Sequence, residues 1–200
     1  MTYSEKINFL SVTLRSFEVA DFSLDILQGI SLRDLLDISL EKDKVVSFRA
    51  AWVFETIVLK DSRLLQGLLP QFFGNIRMQK NWSCLRSYSK ILMYLTADKN
   101  TVYPLSQDIE EELIEYAFQW MIDPKCPVAV LVNCLDILNN LSKKHSWIKE
   151  ELLAQIHYFQ QMKPSPALLS RTNRILKKQR AKPALKELKQ CVSFRMMHPA

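Results

Sequence analysis

The stretch Val45–Phe73, "VVSFRAAWVFETIVLKDSRLLQGLLPQFF", decides how the chain is read. Apolar residues recur at helical spacing on both sides of the polar break "KDSR", Lys60–Arg63. Before the break, Lys44–Lys60 places Val46, Ala50, Val53 or Phe54, Ile57 and Val58 along one face. After it, a helix predicted over Arg63–Ile76 carries Leu64, Leu65, Leu68, Leu69, Phe72 and Phe73. Two such helices make a hairpin with no side chains arranged for chemistry. A hairpin alone cannot bury both of its apolar faces, so the stretch needs neighbours of the same kind.

The rest of the chain supplies them. Helical periodicity predicts Trp82–Leu95, Asp108–Ile122, Pro127–Lys143, Ser146–Met162 and Leu168–Lys178, preceded by Ser4–Val19 and Leu24–Leu40, the last with a break point at Gly29. "SQDIEEE" stacks acids in a first helical turn, where unpaired N–H groups favour them. First members of the pairs begin near Lys44, Trp82, Pro127 and Ser165, at intervals of 38, 45 and 38 residues. A helix-pair period of about 40 is the mark of HEAT and armadillo α-solenoids. The expected fold class is therefore all-α, an α-α superhelix of helical hairpin repeats. One domain over 1–179 and a basic C-terminal tail over 180–200 are expected.

Composition points the same way. The chain has 3 glycines in 200 residues, where average usage of about 7% would give roughly fourteen. Phosphate loops, dinucleotide folds and tight hairpins all depend on glycine, so those classes are excluded. Apolar runs such as "AAWVF" and "VAVLV" fall far short of the roughly 20 residues of a membrane span. The N-terminus lacks a signal-peptide pattern, and Cys84, Cys126, Cys134 and Cys191 show no CxxC spacing. Reduced thiols in a cytoplasmic protein are the expectation. Charge is uneven: from Ser165 onward nine basic residues face one acid, giving +8 of a net +6, while residues 1–164 carry −2.

The start of the Lys44–Lys60 helix resembles HEAT-like repeats, in which an acid–x–x–Val–x–x–Arg pattern precedes a helix rich in small residues. Asp43, Val46 and Arg49 stand in those places. Over residues 30–179 the chain also resembles a group of short bacterial all-helical proteins. The shared pieces are "RAAWVFE", "LPQFF", "AFQWMID" and "PALLSRTNRILKK". Members of that group often carry the label adenylosuccinate lyase. The mobile Ser-Ser-x-Met-Pro-x-Lys-x-Asn-Pro loop of that lyase superfamily does not occur in this chain.

Chemistry-bearing residues are sparse. His145, His157 and His198 show no zinc or di-iron spacing, and neither GxSxG nor a P-loop is present. No catalytic, metal-binding or cofactor-binding residues are expected. Glu110, Glu111, Glu112 and Glu115 read as a solvated helix face. Interaction is a different matter, because Trp and Arg dominate protein-interface hot spots. Arg49 and Trp52 share a face, and Trp82 sits at a helix start. Arg171, Arg174, Lys177 and Lys178 line one flank of the last helix, as a polar cap or as a polyanion site. The expected function is a non-catalytic scaffold binding a protein partner along a face lined by second helices. The alternatives are a nucleic-acid binder using the basic C-terminus and, third, an enzyme carrying the lyase label.

Overall fold

A computed structural model describes residues 1–12, 23–100, 103–162 and 164–179. Every regular element among them is helical. These are α1 (Tyr3–Ser11), α2 (Leu32–Ile38), α3 (Lys44–Lys60), α4 (Leu69–Met78), α5 (Trp82–Leu95), α6 (Gln107–Ile122), α7 (Val128–Leu141), α8 (Ile148–Gln161) and α9 over 166–179. Two short 3-10 turns, Asp25–Leu27 and Ser62–Leu65, lie between them.

Helix starts follow from side chains that satisfy the first free N–H groups. Asp43 Oδ1 accepts from Val45 N at 2.8 Å and Val46 N at 3.0 Å, fixing the start of α3. Asn81 caps α5, Ser106 caps α6, and Thr2 and Ser31 close capping boxes on α1 and α2. The break after α3 is longer than the four-residue turn expected from "KDSR". Asp61 ends α3 and caps the Ser62–Leu65 turn, and Gly67 then takes φ +75°. Pro70 sits in the first turn of α4, where its missing N–H costs nothing, so the second helix begins at Leu69 rather than Arg63 and runs on to Met78. The helix expected over Leu24–Leu40 is likewise shorter. Gln28 at φ +49° and Gly29 at φ +92° interrupt it, and Ser31 starts α2 afresh. The expected Ser4–Val19 helix is seen as α1, and its remainder from residue 13 lies outside the described residues.

The helices form two layers. In the first, α1 packs on α3, α3 on α5 and α5 on α7, while α9 joins α7 through side-chain bonds. The second layer holds α2, α4, α6 and α8, with α2 against α3 and α4, and α6 and α8 against α7. Ala50 and Ala51 are fully buried in α3, with small side chains that let neighbouring backbones approach. Beneath them Phe54, Phe72 and Tyr88 meet at ring-centroid distances of 5.9 and 5.1 Å.

Polar side chains tie each first-layer helix to the one before it. Asn81 Nδ2 donates to Ser47 Oγ at 3.0 Å, and Lys90 Nζ to Glu55 at 2.5 Å, across 34 and 35 residues. Asn133 Nδ2 donates to Ser89 Oγ and Asn140 Nδ2 to Thr96 Oγ1, both across 44 residues. Arg174 reaches Asp136 across 38 residues and Gln179 reaches Asn139 across 40. The uneven period of the sequence, with its long middle interval, is thus repeated in the bonds. Part of the extra length lies in α6, with 16 residues against 10 in α4 and 14 in α8, and part in the loop after α5, where Asn100 Nδ2 donates to Leu95 O at 2.8 Å and Tyr103 O at 3.1 Å.

A buried polar knot joins both layers. Asn75 Nδ2 donates to Leu36 O at 2.5 Å and lies 3.4 Å from both Ser39 Oγ and Tyr88 OH, which are themselves hydrogen-bonded to each other. Burial pushes the Tyr88 phenol up to about 12, so it stays neutral and bonded. Tyr88→Phe removes one hydroxyl without opening a cavity and leaves its two polar neighbours short of a partner. It should lower the unfolding free energy by about 1–3 kcal/mol, read from the urea midpoint.

Candidate functional site

The residues singled out in the sequence are spread along the stack rather than gathered. Arg49 Nη1 donates to Leu10 O at 3.0 Å and to Ser11 O, at the C-terminal end of α1, where exposed carbonyls favour a cation. Trp52, one turn on, is half-buried and stacks on Phe48 with ring centroids 6.2 Å apart. Trp82 is half-buried at the start of α5. Arg171 and Arg174 both donate to the carboxylate of Asp136, which is 8% exposed on α7. Lys177 and Lys178 are exposed on α9.

The four acids of α6 do not form a single solvated face. Glu110 is 5% exposed and accepts from Lys144 Nζ at 2.5 Å, with His145 Nε2 2.9 Å from its other oxygen. Glu112 pairs with Arg77 of α4 at 2.6 Å. Glu111 and Glu115 are exposed as expected. The difference arises because the α7–α8 loop folds back over the first turn of α6, a contact between segments 34 residues apart that helix periodicity does not encode.

The feature that sequence reasoning missed is a cleft of about 680 Å³ where the C-terminal ends of α6 and α8 flank the first turn of α7. Met121, Ile122, Pro124, Tyr158, Phe159 and Met162 give it an apolar lining. Ile122 is 71% exposed, Tyr158 54% and Met162 63%, so three large apolar side chains stand open to solvent around one opening. Ile122 lies seven residues after Glu115, on the polar stripe of α6 rather than its core face. That position was the available sequence signal. Cys126 also lines the cleft, and burial, with Asp123 beside it, pushes its thiol up to about 12.

A family model described as HEAT repeat domain matches residues 12–179. The chain belongs to the HEAT repeat family. No curated protein and no solved structure matches it. In this HEAT repeat protein Asp43 and Arg49 have separate structural tasks: one starts the first helix of the repeat, and the other closes the preceding first-layer helix. Among the described residues, no helix is long and apolar enough to cross a membrane.

Two measurements test these polar contacts. Asp136→Ala leaves Arg171 and Arg174 facing an empty position on α7. Amide exchange across residues 166–179 should speed up about ten- to a hundredfold while that of α3 and α5 is unchanged. For Glu110, burial works to raise the carboxyl pKa, but the hydrogen bonds from Lys144 and His145 outweigh it and hold it below its ordinary 4.5. A depressed folded value means the pair's stabilisation is intact above that ordinary value and is lost as pH falls through the folded one. Glu110→Gln should therefore melt at a lower temperature than the parent at pH 7. The gap should narrow as pH falls below that ordinary carboxyl value, as followed by circular dichroism.

Proposed function

We propose that this HEAT repeat protein is a non-catalytic cytoplasmic scaffold that binds a protein partner through the face formed by α6 and α8. The observation that carries this reading is the exposure of Ile122, Tyr158 and Met162 around one cleft. Large apolar side chains scattered singly over a surface need no explanation, but three at one concave opening mark a docking site. Tyr supplies contact area at small entropic cost, and Met adapts its shape to what it meets. The stack behind the cleft is rigid, since α7 beneath it is bonded to α5 and α9. The half-buried Trp52 and Trp82 and the exposed Lys177 and Lys178 stay candidates for secondary contacts.

The nucleic-acid alternative drew on Arg171, Arg174, Lys177 and Lys178. Asp136 holds the first two, and the acids Asp108, Glu111, Glu115, Glu150 and Glu151 are exposed on α6 and α8. That distribution repels a polyanion from the second layer and favours the protein reading.

The test compares the parent with the Ile122→Asp, Tyr158→Asp double variant in affinity purification from the native host. Both side chains are exposed, so the melting temperature should stay within a few degrees. Proteins retained by the parent should fall at least about tenfold in the variant eluate, as expected when apolar anchors are lost. Equal recovery from both would overturn the assignment of this cleft.

A further inference from the structure

The surface between α6 and α8 changes character along its length. On α6, Asp108, Glu111, Glu115 and Ile122 recur at helical spacing, so acids lead into the apolar opening. On α8, Glu151, Gln155, Tyr158 and Met162 do the same. Glu115 and Ile122, like Glu151 and Tyr158, are seven residues apart, about 10 Å along the helix. Among the described residues, Asp108, Glu111, Glu115, Glu150 and Glu151 form no ion pair, although Glu112 of the same helix pairs with Arg77. Glu111 and Glu151 accept from the neutral amides of Gln107 and Gln155, and a row of exposed carboxylates without cations, ending in an apolar cleft, fits a segment that is basic first and apolar after.

The chain contains such a segment. Residues 180–200, outside the described structure, carry Arg180, Lys182, Lys186 and Lys189, then Val192, Phe194, Met196 and Met197 with Arg195 among them, and Glu187 is the one acid. The preceding helix α9 ends at the matching place. Gln179 Nε2 donates to Asn139 Oδ1 at 3.1 Å, in the last turn of α7, and α8 begins a short loop beyond that turn. The segment therefore departs from the end of the stack where α8 starts and its acids lie. Residues 180–191 span about 18 Å even if helical, more than the distance from acids to cleft.

We propose that residues 180–200 of the same chain dock on the face between α6 and α8. Lys182, Lys186 and Lys189 lie against Glu115, Glu150 and Glu151, while Val192, Phe194 and Met196 fill the cleft. Docking in this direction sets the lysines against the acids and the apolar side chains against the cleft, whose lining includes Asp123 for Arg195. It rests on the reading of the cleft as a docking surface and adds its regulation: the tail covers the surface until a partner displaces it. Because the tail is tethered, modest contacts suffice, since its effective concentration at the cleft reaches about millimolar.

Cys191, within residues 180–200, provides a reporter. Cys84 and Cys134 are buried, so with Cys126, which lines the cleft, replaced by Ser in every sample, a nitroxide reagent is directed to Cys191. The spin label then reports by NMR on the methyl groups of Ile122 and Met162. Both signals should lose intensity in the parent at low salt, independently of protein concentration. Glu115→Lys combined with Glu151→Lys should restore them, as should salt high enough to screen the charges. Full intensity in the parent would overturn the proposal, as would broadening that survives charge reversal. Broadening seen only between chains, in a mixture of spin-labelled and isotope-enriched protein, would overturn it in favour of a second copy as occupant. If the tail proves absent while partner recovery still depends on Ile122 and Tyr158, the docking surface stands and only its occlusion by the tail falls.

Discussion

The packing of α5 between α3 on one side and α7 on the other is the contact on which the rest of the structure depends. A helix in that position loses solvent on two flanks, and each polar group it carries there needs a partner or a way out. Ser47, Ser87 and Ser89 are buried in these flanks. Ser47 and Ser89 accept from the asparagines of the next first-layer helix. Apolar packing supplies the attraction, and it is non-directional. The amide and guanidinium bonds supply the register, because a helix shifted by one turn would leave those donors and acceptors buried without partners. Stacking and register thus come from different parts of the same surface.

Much of this is legible in the amino-acid sequence. Helix spacing in Val45–Phe73, the scarcity of glycine and the intervals of 38, 45 and 38 residues were enough for an all-α stack of hairpins, because periodicity reports which face of each helix is buried. Local breaks were read less well. The residues "KDSR" look like a complete turn, yet the backbone freedom of Gly67 and the lost N–H of Pro70 lie further on, and they set where α4 begins. The cleft was illegible for a different reason. Periodicity marks the face a helix buries, but not whether the flank beyond it finds a neighbour. Ile122, Tyr158 and Met162 stand open because α6 and α8 leave a gap over α7, which is a property of three elements together.

Charge is the second level of organisation. Between neighbouring elements it is paired: Glu55 with Lys90, Glu112 with Arg77, Glu110 with Lys144, Asp136 with Arg171 and Arg174. Each pair joins segments one repeat apart, so the pairs reinforce the same stacking as the core. Exposed pairs of this kind add little individually, and the buried carboxylates Glu55, Glu110 and Asp136 matter most, since an unpaired charge there would be costly. The near-neutral sum of residues 1–164 therefore conceals a local imbalance: Asp108, Glu111, Glu115, Glu150 and Glu151 are exposed on α6 and α8, where Lys149 is the exposed cation among the described residues of those two helices.

If α6 and α8 dock a partner segment as proposed, their surface divides the work of recognition. The free acids reach into solvent and act over about a Debye length, so they set how fast and in which direction a basic segment approaches. The cleft acts only on contact, where removing apolar area from water supplies affinity and shape supplies selectivity. Neither part alone specifies an occupant, since acids attract any cation and an apolar opening admits many side chains. Placed in sequence along two adjacent helices they demand both properties in one order and at one spacing. The rigid stack maintains that spacing, because α7 fixes α6 and α8 from below while being fixed itself by α5 and α9. On the proposed docking, the repeats hold two incomplete recognition elements at a constant separation, and that separation would set the specificity of the surface.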